Sequence, residues 1–205
     1  LEQMRRDLNI ERWSLLGHSY GGMLACLYAN LFPDSISTVI YECPGFNFKQ
    51  SFKTVTKYFL AFFQQENHEK GIKLCNENLA KEFQDGDRAI MNTWAEMSQI
   101  VHDQKVRNYL HSVSFAEYEK NRPTAGIPKE WWQKANTHFE KLIQDGEMFS
   151  NFLGLLDQNR QPSLLITGDY DPACGEDQID YFINHAPKAH HKAFHNSGHF
   201  PRIEQ

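Results

Sequence analysis

An α/β protein, a parallel sheet flanked by helices on both faces and interrupted by one long helical insertion, is what this sequence predicts. Three observations carry that expectation. Short apolar runs rich in branched residues recur near both ends of the chain. Helical spacing or a glycine turn follows each of them. The stretch from 45 to 160 shows helical spacing alone. Strands alternating with helices imply parallel pairing with crossover connections.

Taken in order, Leu1, Met4 and Leu8 have the spacing of one helical face and predict a helix packed on the sheet. Trp13 to Leu16 is an apolar run ending at Gly17, and Met23 to Phe32 reads as a helix that stops at Pro33. Ile36 to Tyr41 predicts a second strand, closed by Cys43, Pro44 and Gly45. The next strand comes only at Ser163 to Thr167. A helix over Asp177 to Asn184, with Ile179, Phe182 and Ile183 on one face, and a last strand over Lys188 to Phe194 complete the pattern. Between them, Tyr58/Phe59/Phe62/Phe63, Ile90/Trp94/Met97/Val101 and Trp131/Trp132/Phe139/Leu142 each outline an apolar helical face. The expected organisation is therefore a core of 1–44 and 161–205 with a helical cap of 45–160.

Composition narrows the function classes. With 40% hydrophobic residues, 15 Phe and 4 Trp, the chain has the means to fold. Lys+Arg number 21 against 26 Asp+Glu, and no basic stripe interleaved with aromatics occurs, which argues against a nucleic-acid partner and for a small substrate. No apolar run approaches the ~20 residues needed to span a bilayer, and LEQMRRDLNI lacks the layout of a signal peptide. Cys26, Cys43, Cys75 and Cys174 are scattered, so neither a zinc ribbon nor a disulfide framework is expected. Free thiols fit a cytoplasmic protein. The sequence is silent on oligomeric state.

The chemistry is concentrated at three loops. Gly17-His18-Ser19-Tyr20-Gly21 fits the pattern G-x-S-x-G of a nucleophile elbow, at the end of an apolar strand and the start of an apolar helix, with Gly22 adding clearance. A serine hydroxyl needs a base to take its proton and an acid to orient that base. In the strand–turn–helix setting of this elbow the partners follow in the order acid, then histidine. Gly168-Asp169-Tyr170-Asp171 places two carboxylates at a strand end. Asp171 is the expected acid, because Asp169 lies closer to the strand and suits an Asx cap. Among ten histidines, His199 in Asn196-Ser197-Gly198-His199-Phe200 is the expected base; His190 and His191 lie within the last strand and His195 at its very end. A metal site from His191 and His195 lacks a third ligand at suitable spacing. The backbone N–H of Tyr20 is one expected oxyanion donor, and the second belongs to a loop after an earlier strand, which this sequence does not include. The chain accordingly reads as the C-terminal part of its fold, without the N-terminal strands.

Together, Gly17-His18-Ser19-Tyr20-Gly21-Gly22, Gly168-Asp169-Tyr170-Asp171 and Ser197-Gly198-His199 resemble the prolyl aminopeptidase (proline iminopeptidase) branch of the α/β hydrolases. The likeness covers the core segments well and the insertion poorly. It implies an α/β-hydrolase fold and a serine exopeptidase working without metal or organic cofactor, on a short peptide whose free α-amine is held by acidic cap residues. Thr93-Trp94-Ala95-Glu96 matches part of the family's Trp-x-x-Trp-Glu element, so Glu96 and Trp94 are the substrate-binding candidates the resemblance implies. The His-Gly-Gly-Pro-Gly oxyanion loop of that family is not found. An esterase or other acyl hydrolase of the same fold, or a catalytically incomplete fragment, are the competing expectations.

Overall fold

A computed structural model of the 205-residue chain describes residues 1–84, 87–101, 110–122 and 126–205. Four parallel strands form one sheet in the order β1 (Trp13–His18), β2 (Ile36–Glu42), β3 (Ser163–Gly168), β4 (Ala189–Phe194). The register runs from Trp13 opposite Ile36 to Gly168 opposite Phe194, with one irregularity between Trp13 and Ser14. All four carboxyl ends therefore meet at one edge, where parallel α/β sheets place their ligands.

Helices α1 (Glu2–Asp7) and α2 (Tyr20–Leu31) flank β1, and α3 (Phe48–Gln65) follows β2. The long connection to β3 continues with α4 (Glu69–Leu79), α5 (Ala89–Val101), α6 (Phe115–Asn121), α7 (Lys129–Asp145) and α8 (Leu153–Leu156). Then α9 (Glu176–His185) joins β3 to β4, and α10 (Pro201–Glu204) comes last. Inserting helices between β2 and β3 leaves those strands paired, Val39 opposite Ser163.

Two apolar clusters hold the molecule together. The first joins β2 and β3 to α2, α8 and α9 through Cys26, Val39, Tyr41, Leu156, Leu165 and Phe182. Tyr41 is fully buried, and its hydroxyl accepts a bond from Asn159 Nδ2 at 2.8 Å, so the phenol is placed at no polar cost. The second cluster belongs to α3, α4 and α5, with Phe52, Val55, Phe59 and Phe63 repeating along one face of α3. Burying each such phenyl contributes about 1.5–3 kcal/mol. Asn47 caps α3 by accepting the Gln50 N–H at 3.2 Å.

Several apolar faces read from the sequence point elsewhere. Leu1, Met4 and Leu8 are exposed, because the opposite face of α1 is the one tied down: Tyr28 Oη donates to Glu2 at 2.6 Å, and Arg5 donates to the carbonyls of Ile10 and Glu11. On α9, Phe182 is buried together with Gln178, whereas Ile183 is exposed. On α7, Trp131 and Phe139 are exposed and only Leu142 is buried, while Trp132 carries the Arg122 guanidinium 5.5 Å from its ring centroid. Ile90 and Met97 are buried as their spacing predicts; the side chains of Trp94 and Val101 lie outside the described part of the structure. Among the described residues, no helix is long and apolar enough to cross a membrane.

Candidate active site

The turn after β1 puts Ser19 at φ 54°, ψ −122°, a region that costs a non-glycine residue on the order of 1–3 kcal/mol. Its backbone is held there: the Ser19 N–H donates to Glu42 O at 3.0 Å, and Ser19 O accepts from Gly22 N–H at 2.9 Å. Gly17 is what the turn demands, since a Cβ there would sit 2.3 Å from Gly21 O. A Cβ at Gly22 would lie 2.7 Å from Pro44 Cβ, while one at Gly21 would meet nothing within 4 Å. The close approach of strand and helix thus rests on Gly17, and that of the helix to the loop after β2 on Gly22, while Gly21 faces open space. Tyr20 opens α2, so its N–H is among the first-turn donors that lack an intrahelical partner.

At the ends of β3 and β4, His199 Nδ1–H donates to Asp171 Oδ1 at 2.7 Å in a buried pair. Asp171 also accepts the N–H groups of Ala173 (2.9 Å) and Cys174 (3.1 Å). Burial works against its charge, but His199 and these donors outweigh it and hold the carboxyl below the usual range. The sequence favours Asp171 on the ground that Asp169 bonds the turn; the structure reverses that reason. Asp171 caps its own turn and meets His199, whereas Asp169 reaches His195 at the exposed rim, 2.9 Å from Nδ1.

The histidine loop can pass so close to β3 because position 168 is glycine: a Cβ there would lie 2.2 Å from Gly198 O and 2.3 Å from Ser197 O. The ring of His18 packs 4.7 Å from that of His199 and its Nε2–H donates to His199 O at 2.8 Å. Burial foremost, then the positive charge His199 can carry, lower the pKa of His18 to about 3, so it stays neutral.

Three polar residues that composition and spacing did not reveal brace this arrangement. Glu204 is buried and accepts the N–H groups of Gly198 (2.8 Å), His111 (2.7 Å) and Ser112 (2.8 Å). It ties the histidine loop to the helical insertion. Gln178 accepts from Asn47 N–H at 2.9 Å and donates to Ser51 Oγ at 3.0 Å and Ala173 O at 3.2 Å. Ser51 Oγ donates in turn to Ala173 O at 2.7 Å, which joins α3 to the Asp171 turn. Only the Gly-His-Phe-Pro-Arg-Ile-Glu run placing Glu204 near His199 offered a local signal.

Ser19, Tyr20 and His199 line one cavity of about 700 Å³, within the roughly 300–1,000 Å³ typical of small-molecule sites. Its other walls come from α2, α3, α5, α6 and α7, among them Met23, Phe48, Met91 and Phe139. Glu119 is the carboxylate among the described lining residues, and Arg122 sits 3.1 Å from it. Glu96, by contrast, is exposed on α5 and is not among those lining residues, although its neighbour Ala95 is. Trp94 lies on the same helix, its side chain outside the described part.

Among the described residues, Cys43, Asp171 and His199 are the one His/Cys/Asp/Glu group close enough to share an ion, their ligand atoms within 4.8 Å. Two of them already bond each other, His199 Nδ1 to Asp171 Oδ1. Burial, then the Asp171 charge, pushes the Cys43 thiol far up, and its Sγ lies 3.9 Å from the Gly198 carbonyl it faces as a donor. His191 and His195 do not converge either: Nε2 of the first is 2.9 Å from Thr167 Oγ1, and the second pairs with Asp169.

Comparison with known proteins agrees with this fold. A family model described as the alpha/beta hydrolase fold matches residues 1–205. Abhydrolase domain-containing protein abhd-5.2 of Caenorhabditis elegans is 44% identical over 48 residues, 23% of this chain and 11% of that protein. A proline iminopeptidase-related protein from Thermus thermophilus superposes with a TM-score of 0.64 at 14% identity, covering 98% of this chain and 62% of its own. The proline iminopeptidase of Mycobacterium smegmatis gives 0.56 at 15% identity, with 100% and 64% covered. A serine hydrolase from Cycloclasticus zankles gives 0.58 at 14% identity, with 99% and 62% covered. The chain thus spans a little under two thirds of the length of these solved structures, and at such identities the likeness is one of fold.

Proposed function

The chain belongs to the α/β hydrolase fold family, and on that premise we propose that it is a serine hydrolase cleaving a small acyl substrate through an acyl-enzyme on Ser19. The observation that carries this reading is that His199, bonded to the buried Asp171, lines the same cavity as a serine held on a strained turn. With its Nδ1–H given to Asp171, His199 keeps its lone pair on Nε2, the nitrogen that serves as base.

His199 Nε2 takes the Ser19 proton as Oγ attacks the substrate carbonyl, and the developing oxyanion draws on the Tyr20 N–H and the positive end of α2. The imidazolium, stabilised by the Asp171 carboxylate, returns the proton to the departing alcohol or amine. Water then adds to the acyl-enzyme with His199 again as base, releasing the acid and restoring Ser19. In this reading the insertion is a cap over the cavity, and four buried cysteines, all free, suit a reducing cytoplasm.

An aminopeptidase of the proline iminopeptidase type is the reading the motif resemblance favours. It uses the same triad and needs a carboxylate for the substrate amine; Glu119, rather than the exposed Glu96, lines the cavity where that carboxylate must act. Ser19→Ala is the test of the shared chemistry. It is expected to lower kcat on any turned-over ester or aminoacyl amide by roughly 10⁶-fold with the fold intact, since removing a triad serine typically costs that much. Retention of more than about 1% of turnover in purified variant contradicts the proposal.

A further inference from the structure

The walls of the cavity say more about its occupant than the triad does. Beyond Ser19, Tyr20 and His199, the described lining is largely apolar, and Met23, Met91 and Met148 supply three unbranched thioether side chains that adjust to different apolar shapes. Phe48, Phe115 and Phe139 add aromatic faces from three different helices. Phe115 and Phe139 are exposed, at 47% and 42%, so their rings offer apolar surface that a ligand can take out of water. Ser51, a polar wall residue, spends its hydroxyl proton on Ala173 O. The carboxylate of Glu119 lies 3.1 Å from Arg122, so its charge is already matched.

We infer that this cavity receives a long, uncharged apolar chain of a carboxylic ester. The inference rests on the serine-hydrolase reading and refines its substrate class. A charged group entering these walls must surrender its hydration to thioethers and phenyl rings, whereas each methylene gains by leaving water. The ester carbonyl sits at Ser19 and the chain runs among α3, α5, α6 and α7. The chain can belong to the acyl or to the alcohol side, since both flank the same carbonyl.

Two homologous ester series test this on the intact protein: p-nitrophenyl esters of lengthening linear acids, and acetates of lengthening linear alcohols. In one series kcat/KM is expected to rise about fourfold per added methylene, the value of one buried CH₂, until the cavity is full. The series that rises identifies the side that carries the chain. Ala95→Phe, which adds a ring to a lining position, is expected to move the optimum to a shorter chain. An ω-amino or ω-carboxylate group on the preferred chain is expected to lower kcat/KM at least 100-fold. If both series are flat while acetate turnover still requires Ser19, the chain-binding inference falls and the nucleophile stands. If proline amides or ω-amino esters outpace the apolar esters, the inference falls in favour of the aminopeptidase reading. If turnover is indifferent to Ser19, both are overturned.

Discussion

Two aspartate–histidine pairs sit side by side at the carboxyl ends of β3 and β4. In Asp169–His195 the contact is 2.9 Å, and the side chains are 38% and 85% exposed. In Asp171–His199 it is 2.7 Å, and they are 0% and 7% exposed. Distance hardly separates them; surroundings do. Water screens the outer pair and competes for its hydrogen bonds, so it contributes within the ~0–1 kcal/mol of surface ion pairs. The inner pair has no water to fall back on, and its aspartate is held by two backbone N–H groups while its histidine loop is held by Glu204. Only the inner pair is set to keep an imidazole in one tautomer next to a cavity.

Asp171→Asn and Asp169→Asn separate the two pairs most strongly. An amide at 171 favours the wrong imidazole tautomer, and kcat is expected to fall by up to ~10⁴-fold. At 169 the same change is expected to stay within about twofold, and steady-state kinetics on one ester substrate measures both. Equal losses mean that the exposed pair takes part.

Glu204→Gln tests the bracing of the inner pair. One amide cannot accept all the N–H groups that the carboxylate accepts, and its own NH₂ faces donors. Bonds to charged acceptors are worth about 1.5–3 kcal/mol, so a loss of about 2–4 kcal/mol is expected, a fall of roughly 5–15 °C in Tm at this chain size. The outer pair should be unaffected, so His195→Ala measured alongside is expected to leave Tm within about 2 °C.

A further effect is one of pH. An unfolded imidazole protonates near pH 6.5, whereas His18 in the fold does so only at about 3. Between those values the unfolded state binds more protons, so stability rises with pH and falls on acidification, by up to about 1.4 kcal/mol per unit from this residue. Asp171, with its lowered pKa, adds a loss that begins as the pH falls into the ordinary carboxylate range, where the unfolded carboxyl takes up its proton first. Chemical denaturation from pH 6.5 down to 4 is therefore expected to show a shallower decline in His18→Phe than in the wild type; identical slopes would mean His18 titrates normally in the fold.

What the sequence made legible is local. Gly17 through Gly22 announces a tight strand-to-helix turn because Gly17 is needed where backbone meets backbone and Gly22 where the helix meets Pro44, and the branched residues of β2 announce a strand. Placement of the carboxylates at the end of β3 was legible for the same reason. Illegible were contacts decided by distant partners. Glu204 and Gln178 look like surface polar residues until residues roughly 90 and 130 positions away are brought to them. The apolar spacing of Leu1, Met4 and Leu8 predicted a buried face, yet Glu2 and Arg5 determine which side of α1 is anchored. Glu96 and Glu119 differ by which helix face meets the cavity, and periodicity alone does not say where the cavity is.

Activation of Ser19 by His199 can be read out with a serine-directed fluorophosphonate, the adduct mapped by peptide mass spectrometry in the wild type and in His199→Ala. A single stoichiometric adduct on Ser19 is expected in the wild type, with labelling of the variant slowed by at least ~10³-fold, because the hydroxyl has lost its base. An adduct on a different serine, or equal labelling rates with and without His199, would contradict it.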